Sequence, residues 1–134
     1  LGKESMMMLA QEPEIKKTLD LVSKSDIVVF GVGRADEMIL RRNLSKEVAQ
    51  EILDKGAVCE SFGYYFNKSG EIVYRLNTIG IDLESVQQAR EVIAVFAGSK
   101  KIEAFLAISK INKNLVLVTD EHSGEKLIEL IKSQ

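Results

Sequence analysis

The sequence predicts an α/β fold: a layered, mostly parallel β-sheet with helices on both faces. Three apolar runs rich in β-branched residues carry this prediction, at residues 27–30, 92–96 and 115–119. Runs without polar alternation are typical of parallel strands covered on both faces. Amphipathic helical segments separate the runs, and this alternation gives parallel strands joined by right-handed crossovers. Ligands of such sheets bind beyond the carboxyl ends of the strands.

Length and composition fit one globular domain and exclude several function classes. The chain has 134 residues, 28% of them charged, and a net charge of −2, so no global basic character favours nucleic acid. No apolar run approaches the ~20 residues of a membrane span. The single cysteine, Cys59, excludes an internal disulfide, so we expect a reducing, cytoplasmic location. Because the chain opens on Leu1 without an initiator methionine, we expect it to be a piece of something longer.

The first half begins with helical signals. Pro13, flanked by two glutamates, predicts a helix start. A second helix is expected over residues 35–42 and a third over residues 45–55, with Ser45 as its cap. Arg41 and Arg42 fall at the C-terminal end of the second helix, where cations are favourable for structural reasons alone.

A G-x-G pair, Gly31 and Gly33, follows the first strand. It resembles the start of a dinucleotide fingerprint, but the third glycine is missing and Asp36 falls where a pyrophosphate would lie. We therefore expect these glycines to allow a sharp turn or a close approach to a ligand rather than to bind a nucleotide.

Residues 57–66 and 71–76 predict a β-hairpin around a turn at residues 67–70. Cys59 is expected to be a small core residue. Glu60 is unusual because a carboxylate in an apolar strand is seldom fully buried unless it is paired. It either faces a ligand at the strand end or occupies an exposed edge.

A strand, a tight turn and a helix start are predicted at residues 92–105. Backbone N–H groups at a helix start carry partial positive charge, so Gly98, Ser99 and Lys101 are candidate phosphate ligands. The alternative is a turn whose small residues serve packing alone. In the last helix Asp120 is the expected N-cap. His122, the single histidine, has no partner ligands, so neither a metal site nor a cofactor is expected.

Four segments resemble the C-terminal portion of the SorC-type sugar-binding transcriptional regulators, most closely their glycolytic branch. They occur in the family's order and cover residues 12–131: V-V-F-G-V-G-R-A-D-x-M-x-x-R-R, G-A-V-C-E-S-F-G-Y-Y-F, A-V-F-A-G-S-K-K-I-E-A-F-L-A and L-V-L-V-T-D-E. The resemblance implies a Rossmann-like sheet related to glucosamine-6-phosphate deaminases and ribose-5-phosphate isomerases. It also implies a bacterial repressor whose effector is a phosphorylated sugar, fructose 1,6-bisphosphate in that branch.

The resemblance further implies roles for individual residues. Arg41 falls on a phosphate-contacting arginine, Glu60 on a carboxylate that bonds sugar hydroxyls, and Lys101 on a phosphate-binding lysine. The family usually has two glycines where this chain has Ala97 and Gly98. The chemistry agrees, because a bisphosphate needs cations at both ends and an acceptor for hydroxyls between them.

The family's helix-turn-helix and the first half of its effector domain have no counterpart here. We therefore expect residues 1–134 to be a partial effector domain that reaches DNA only through a domain absent from this chain. It is expected to avoid membranes and to associate as a homo-oligomer, because an incomplete sheet exposes apolar surface. The rival interpretation is a fragment of a sugar-phosphate isomerase or deaminase. Such an enzyme needs a positioned acid or base, and the sequence disfavours it because neither candidate, Glu60 or His122, lies in an acid–base cluster.

Overall fold

The computed structural model describes residues 2–134, which form seven α-helices and seven β-strands. The helices are α1 Lys3–Gln11, α2 Pro13–Ser23, α3 Ala35–Arg41, α4 Lys46–Asp54, α5 Leu83–Gln88, α6 Ile102–Ile108 and α7 Glu121–Lys132. The strands are β1 Ile27–Gly31, β2 Gly33–Arg34, β3 Ala57–Ser61, β4 Tyr64–Asn67, β5 Ile72–Arg75, β6 Glu91–Val95 and β7 Leu115–Val118. Local signals set several helix ends: Ser45 caps α4 through the Val48 amide, and Asp120 caps α7.

Strands β1, β6 and β7 form the predicted parallel sheet, in the order β1-β6-β7. Val28 pairs with Val92 and Phe30 with Ala94, so these four side chains share one face. Helices α5, α6 and α7 contribute Val86, Phe105 and Leu127, among others, to the same core cluster. The prediction of parallel strands joined through helices is therefore confirmed.

The opposite face of this sheet departs from the prediction of helices on both faces. Its apolar side chains are exposed within residues 2–134, namely Ile27, Val29, Val95, Val116 and Val118. The apolar runs do specify strands, but whether both faces are covered depends on what packs against them, and no local pattern encodes that. One face of the sheet thus remains open.

The other strands form a second sheet, antiparallel, in the order β2-β3-β4-β5. The sheets are thus three parallel and four antiparallel strands, so a mostly parallel arrangement was wrong. The predicted single strand over residues 57–66 was also wrong, because it is two strands joined by a turn at Phe62 and Gly63. Both turn residues have positive φ, 58° and 82°, as a two-residue type I′ hairpin requires.

Two cores hold the sheets in place. The larger one lies between helices α5–α7, the parallel sheet and one face of the antiparallel sheet. That face contributes Cys59, which is fully buried as predicted. Burial raises the pKa of the Cys59 thiol to about 12, so it is neutral near pH 7. The smaller core packs α3 and α4 on the antiparallel sheet around Ile52 and Tyr65. The N-terminal helices α1 and α2 contact each other and bury no residue fully.

Candidate functional site

Four strand ends meet at one edge of the molecule, as the fold class predicts for a ligand site. Beyond β1, the Val32 amide donates to the Val95 carbonyl at 3.4 Å, and beyond β6 the Phe96 amide donates to the Val118 carbonyl at 3.2 Å. The Ser61 hydroxyl donates to the Gly31 carbonyl at 3.3 Å, which brings the end of β3 to the same edge. The candidate site is built on this carboxyl edge.

The turn after β6 carries three of the predicted ligands. Gly98 has a φ of 97°, where a side chain would be strained, and its amide donates to Asp120 Oδ1 at 2.8 Å. The same carboxylate accepts hydrogen bonds from the amide and hydroxyl of Ser123, at 3.0 and 2.7 Å. The Gly98 amide, and then these two donors, hold the pKa of Asp120 well below its usual range. The turn is thus fixed by the protein itself.

Ser99 to Lys101 form a single 3-10 turn that leads into α6. The Lys101 amide donates to the Gly98 carbonyl at 3.1 Å, whereas the amides of Ser99 and Lys100 find no acceptor in residues 2–134. The Lys101 side chain is half-buried and that of Lys100 is exposed. Two unpaired N–H groups and one lysine therefore remain for an anion, while the Gly98 amide is occupied by Asp120.

Glu60 is buried at the end of β3, with only 3% of its surface exposed. The exposed-edge alternative is therefore wrong. Its Oε1 accepts from Arg42 Nη2 at 2.8 Å and from the Gly63 amide at 2.9 Å. Its Oε2 accepts no hydrogen bond within the described residues and is not fully enclosed. Because Oε2 has no protein donor in residues 2–134 and is not enclosed, it can accept a hydrogen bond from a ligand hydroxyl.

The structure separates the two arginines after α3. Arg42, the C-cap residue, reaches Glu60, and its side chain is 34% exposed. Arg41 is exposed and makes no ion pair or side-chain hydrogen bond in residues 2–134. The predicted ligand Arg41 is thus not brought to Glu60, and sequence reasoning left its neighbour Arg42 unassigned. Successive helical residues point about 100° apart, so the sequence could not decide which arginine faces the sheet.

Glu60 belongs to a cross-strand row on the antiparallel sheet. It pairs with Gly33 on β2 and with Tyr65 on β4, and Tyr65 pairs in turn with Tyr74 on β5. The Tyr65 hydroxyl is buried without a hydrogen-bond partner. Burial, and then the charge of Glu60, raise the pKa of Tyr65 to about 12, so it stays protonated and able to donate.

Gly33 is required by close packing in this row. A Cβ there would lie 2.6 Å from Met38 Cγ and 2.9 Å from the Glu60 carbonyl oxygen, both too close. Gly31, by contrast, has open space around it. Gly33 therefore lets β2 lie against Glu60 and α3, so its close approach is to the protein itself and not, as predicted, to a ligand.

The site shows no sign of a metal centre. Within residues 2–134, no three His, Cys, Asp or Glu side chains lie together as metal ligands would. His122 is exposed in the first turn of α7. Over the same residues, no helix is both long and apolar enough to span a bilayer.

Comparisons with known proteins agree with the geometry. The family model described as "Putative sugar-binding domain" matches residues 2–129. The Central glycolytic genes regulator of Bacillus subtilis (strain 168) is 38% identical over 128 residues, which are 96% of this chain and 38% of that protein. The regulator of the same name from Priestia megaterium (strain DSM 319 / IMG 1521) is 36% identical, over 96% of this chain and 37% of that protein.

A solved structure shows the same fold. The crystal structure of "the putative SorC family transcriptional regulator from Enterococcus faecalis" is 36% identical and superposes with a TM-score of 0.86. The match covers 96% of this chain and 52% of that one. This chain thus spans well under half the length of the two curated relatives, and about half of the crystallised chain.

Proposed function

Because the chain belongs to the sugar-binding domain family of SorC-type transcriptional regulators, we propose that it is the effector-sensing part of a bacterial repressor and binds a phosphorylated sugar. The observation that carries this proposal is the buried Glu60 at the carboxyl edge of the sheets. Arg42 and the Gly63 amide hold one oxygen, and the other is left for a sugar hydroxyl. A carboxylate that is ion-paired and held in place accepts a hydrogen bond from a hydroxyl in one defined direction.

The proposed effector is fructose 1,6-bisphosphate. Its support is the similarity to regulators named for central glycolytic genes and the presence of cationic groups around Glu60. In this proposal Glu60 accepts hydrogen bonds from sugar hydroxyls. One phosphate binds at the turn of Gly98, Ser99 and Lys101, where Ser99 and Lys101 are the donors and Gly98 contributes the shape of the turn, because its amide is held by Asp120. Arg41 remains a proposed phosphate ligand, although in the free protein its side chain is exposed to solvent.

We also propose that this chain is one part of a longer regulator. The chain matches about two fifths of the length of each of the two curated relatives. This leaves room elsewhere in the polypeptide for a DNA-binding domain and for the first half of the effector domain. DNA would then be bound only through that other domain, in the cytoplasm. The open apolar face of the parallel sheet favours a homo-oligomer, because such faces are normally covered.

The proposal includes the relation in fold to glucosamine-6-phosphate deaminases and ribose-5-phosphate isomerases, but not their activity. The named relatives are regulators, and a shared fold does not fix function. An enzyme of this type needs a positioned acid or base. Glu60 is already ion-paired with Arg42, and His122 is exposed on α7. The enzyme alternative is therefore not favoured.

Lys101→Ala, compared with Lys100→Ala, tests the proposed phosphate end. Fructose 1,6-bisphosphate is titrated into the isotope-labelled chain, and amide shifts report the dissociation constant. Since hydrogen bonds to charged groups are worth about 1.5–3 kcal/mol, Lys101→Ala should weaken binding roughly ten- to a hundredfold. Lys100→Ala should change it little. Absence of binding to the unmodified chain, or equal losses in both variants, would contradict the proposed site.

A further inference from the structure

The turn that joins β3 to β4 holds a phenylalanine in a conformation that this residue type seldom adopts. Phe62 has a φ of 58°, in the left-handed region, where a bulky side chain crowds its own backbone. Two-residue hairpin turns of this kind normally carry asparagine, aspartate or glycine at that position. Local preference therefore does not explain why Phe62 keeps this conformation.

An aromatic contact holds the first half of the turn. The centre of the Phe62 ring lies 4.7 Å from that of the Phe30 ring, and the two planes are inclined by 44°. Phe30 lies on the buried face of β1, and Phe62 packs against the same core. One residue before the turn, the Ser61 hydroxyl donates to the Gly31 carbonyl at 3.3 Å. This half of the turn is thus anchored to the end of β1.

The second half of the turn contributes a hydrogen bond to the candidate site. The Gly63 amide donates to Glu60 Oε1 at 2.9 Å, and Arg42 Nη2 donates to the same oxygen at 2.8 Å from the end of α3. A carboxylate held by one donor can pivot about that bond, whereas two donors from different elements fix its orientation. The Gly63 amide therefore helps to set the direction of Oε2, the oxygen left for a ligand.

We infer that Phe62 is a positioning residue of the candidate site: its ring, held against Phe30, keeps the turn in the conformation that aims the Gly63 amide at Glu60. The orientation of Oε2 then determines which ligand hydroxyl Glu60 accepts. Phe62 thus acts on the recognition of hydroxyl groups through Glu60. The link to a sugar hydroxyl rests on the proposed function, whereas the effect of Phe62 on the hydrogen bond between Gly63 and Glu60 does not.

Phe62→Ala and Phe62→Asn separate the conformation of the turn from the loss of the ring. Both variants lack the ring, but asparagine adopts positive φ readily and is favoured in this turn, whereas alanine is not. Because Phe62 is only partly buried, both variants should fold, which thermal melts check. Phe105→Leu is the matched control, since Phe105 forms another ring pair of the same core, with Phe96 at 5.6 Å.

Two measurements are made on each protein. Deuterium exchange of the Gly63 amide reports its hydrogen bond to Glu60 without any ligand. Fructose 1,6-bisphosphate and hexane-1,6-diol bisphosphate are then titrated separately into the isotope-labelled chain, with amide shifts as the readout. The second compound has both phosphates but no hydroxyl group, so the ratio of the two dissociation constants reports hydroxyl recognition alone.

We expect Phe62→Ala to speed exchange of the Gly63 amide and to reduce the preference for fructose 1,6-bisphosphate roughly tenfold, the worth of one hydrogen bond. Phe62→Asn should keep both quantities within about twofold of the unmodified chain, because asparagine holds the turn without the ring. Phe105→Leu should lower the melting temperature and leave both quantities unchanged.

The inference is overturned if Phe62→Ala leaves the exchange rate unchanged, or if Phe62→Asn is affected as strongly as Phe62→Ala. It is also overturned if exchange responds but the preference between the two ligands does not, because Phe62 would then serve the fold alone. If exchange responds as expected but fructose 1,6-bisphosphate does not bind the unmodified chain, the proposed function fails, while the positioning of the Gly63 amide by Phe62 is supported.

Discussion

The amide of Gly98 donates a 2.8 Å hydrogen bond to Oδ1 of Asp120, which joins the ends of two neighbouring parallel strands. Asp120 simultaneously caps α7 through Ser123. One carboxylate therefore fixes both the turn that precedes α6 and the start of α7. The proposed phosphate turn is thereby preorganised, because its geometry does not wait for a ligand.

Asp120→Asn should lower the stability of the protein near neutral pH and lose that effect in acid. The pKa of Asp120 is held below its ordinary value of 3.8 in the folded state, chiefly by the Gly98 amide and then by Ser123. A lowered folded pKa stabilises the protein above the unfolded pKa, and the stabilisation disappears as pH falls through the folded value. The melting-temperature difference between the two proteins should therefore be full above about pH 5 and shrink steadily below about pH 4.

Asp20→Asn is the control for this pH series, because the Asp20 carboxylate is exposed and accepts no hydrogen bond within residues 2–134. Its melting curve should follow that of the unmodified protein across the same range. If the melting-temperature difference for Asp120→Asn does not change with pH, the charge of Asp120 does not contribute to stability, and the prediction is wrong.

Much of this carboxyl edge follows from local sequence signals. A cap such as Asp120 needs only its own residue and the next three, and an apolar run such as residues 92–96 specifies a strand without reference to the rest of the chain. The parallel sheet and the turn after β6 could therefore be predicted.

The remaining features depend on contacts between distant residues. Phe62 adopts a φ of 58°, which a bulky residue seldom does, and its ring lies 4.7 Å from that of Phe30. That tertiary contact, together with the adjoining glycine, favours a hairpin where the sequence suggested one strand. The pairing of Arg42 with Glu60 likewise depends on the rotation of α3 against the antiparallel sheet. No pattern within either segment encodes that rotation.

Gly33→Ala should destabilise the protein, whereas Gly31→Ala should not. The new Cβ at Gly33 would meet Met38 and the Glu60 carbonyl oxygen, and overpacking of this kind typically costs about 1–3 kcal/mol. Gly31 has open space and lies on the exposed face of β1, so alanine there is accommodated. Urea unfolding of both variants measures the difference. Equal free energies of unfolding would show that the G-x-G pair is not explained by packing.

Arg42→Gln should be more harmful than the double variant Arg42→Gln/Glu60→Gln. Removing the arginine leaves the buried Glu60 carboxylate with only the Gly63 amide, and an under-satisfied buried charge costs about 1–3 kcal/mol. Neutralising Glu60 as well removes that penalty. Urea unfolding of the two single variants and the double variant completes the cycle, with Arg41→Gln as a neighbouring exposed arginine. Strictly additive losses would mean that the ion pair contributes no coupling.

The exposed face of the parallel sheet should mediate association between copies of the chain. Val29 and Val116 are 63% and 53% exposed, and they lie on the face opposite the core. A charge there opposes burial of the face, so Val29→Glu and Val116→Glu should shift sedimentation toward the monomer. Leu40→Glu is the control, because Leu40 is 80% exposed but lies on α3, away from this face. A monodisperse monomer for the unmodified chain, or dissociation caused equally by Leu40→Glu, would refute association through this face.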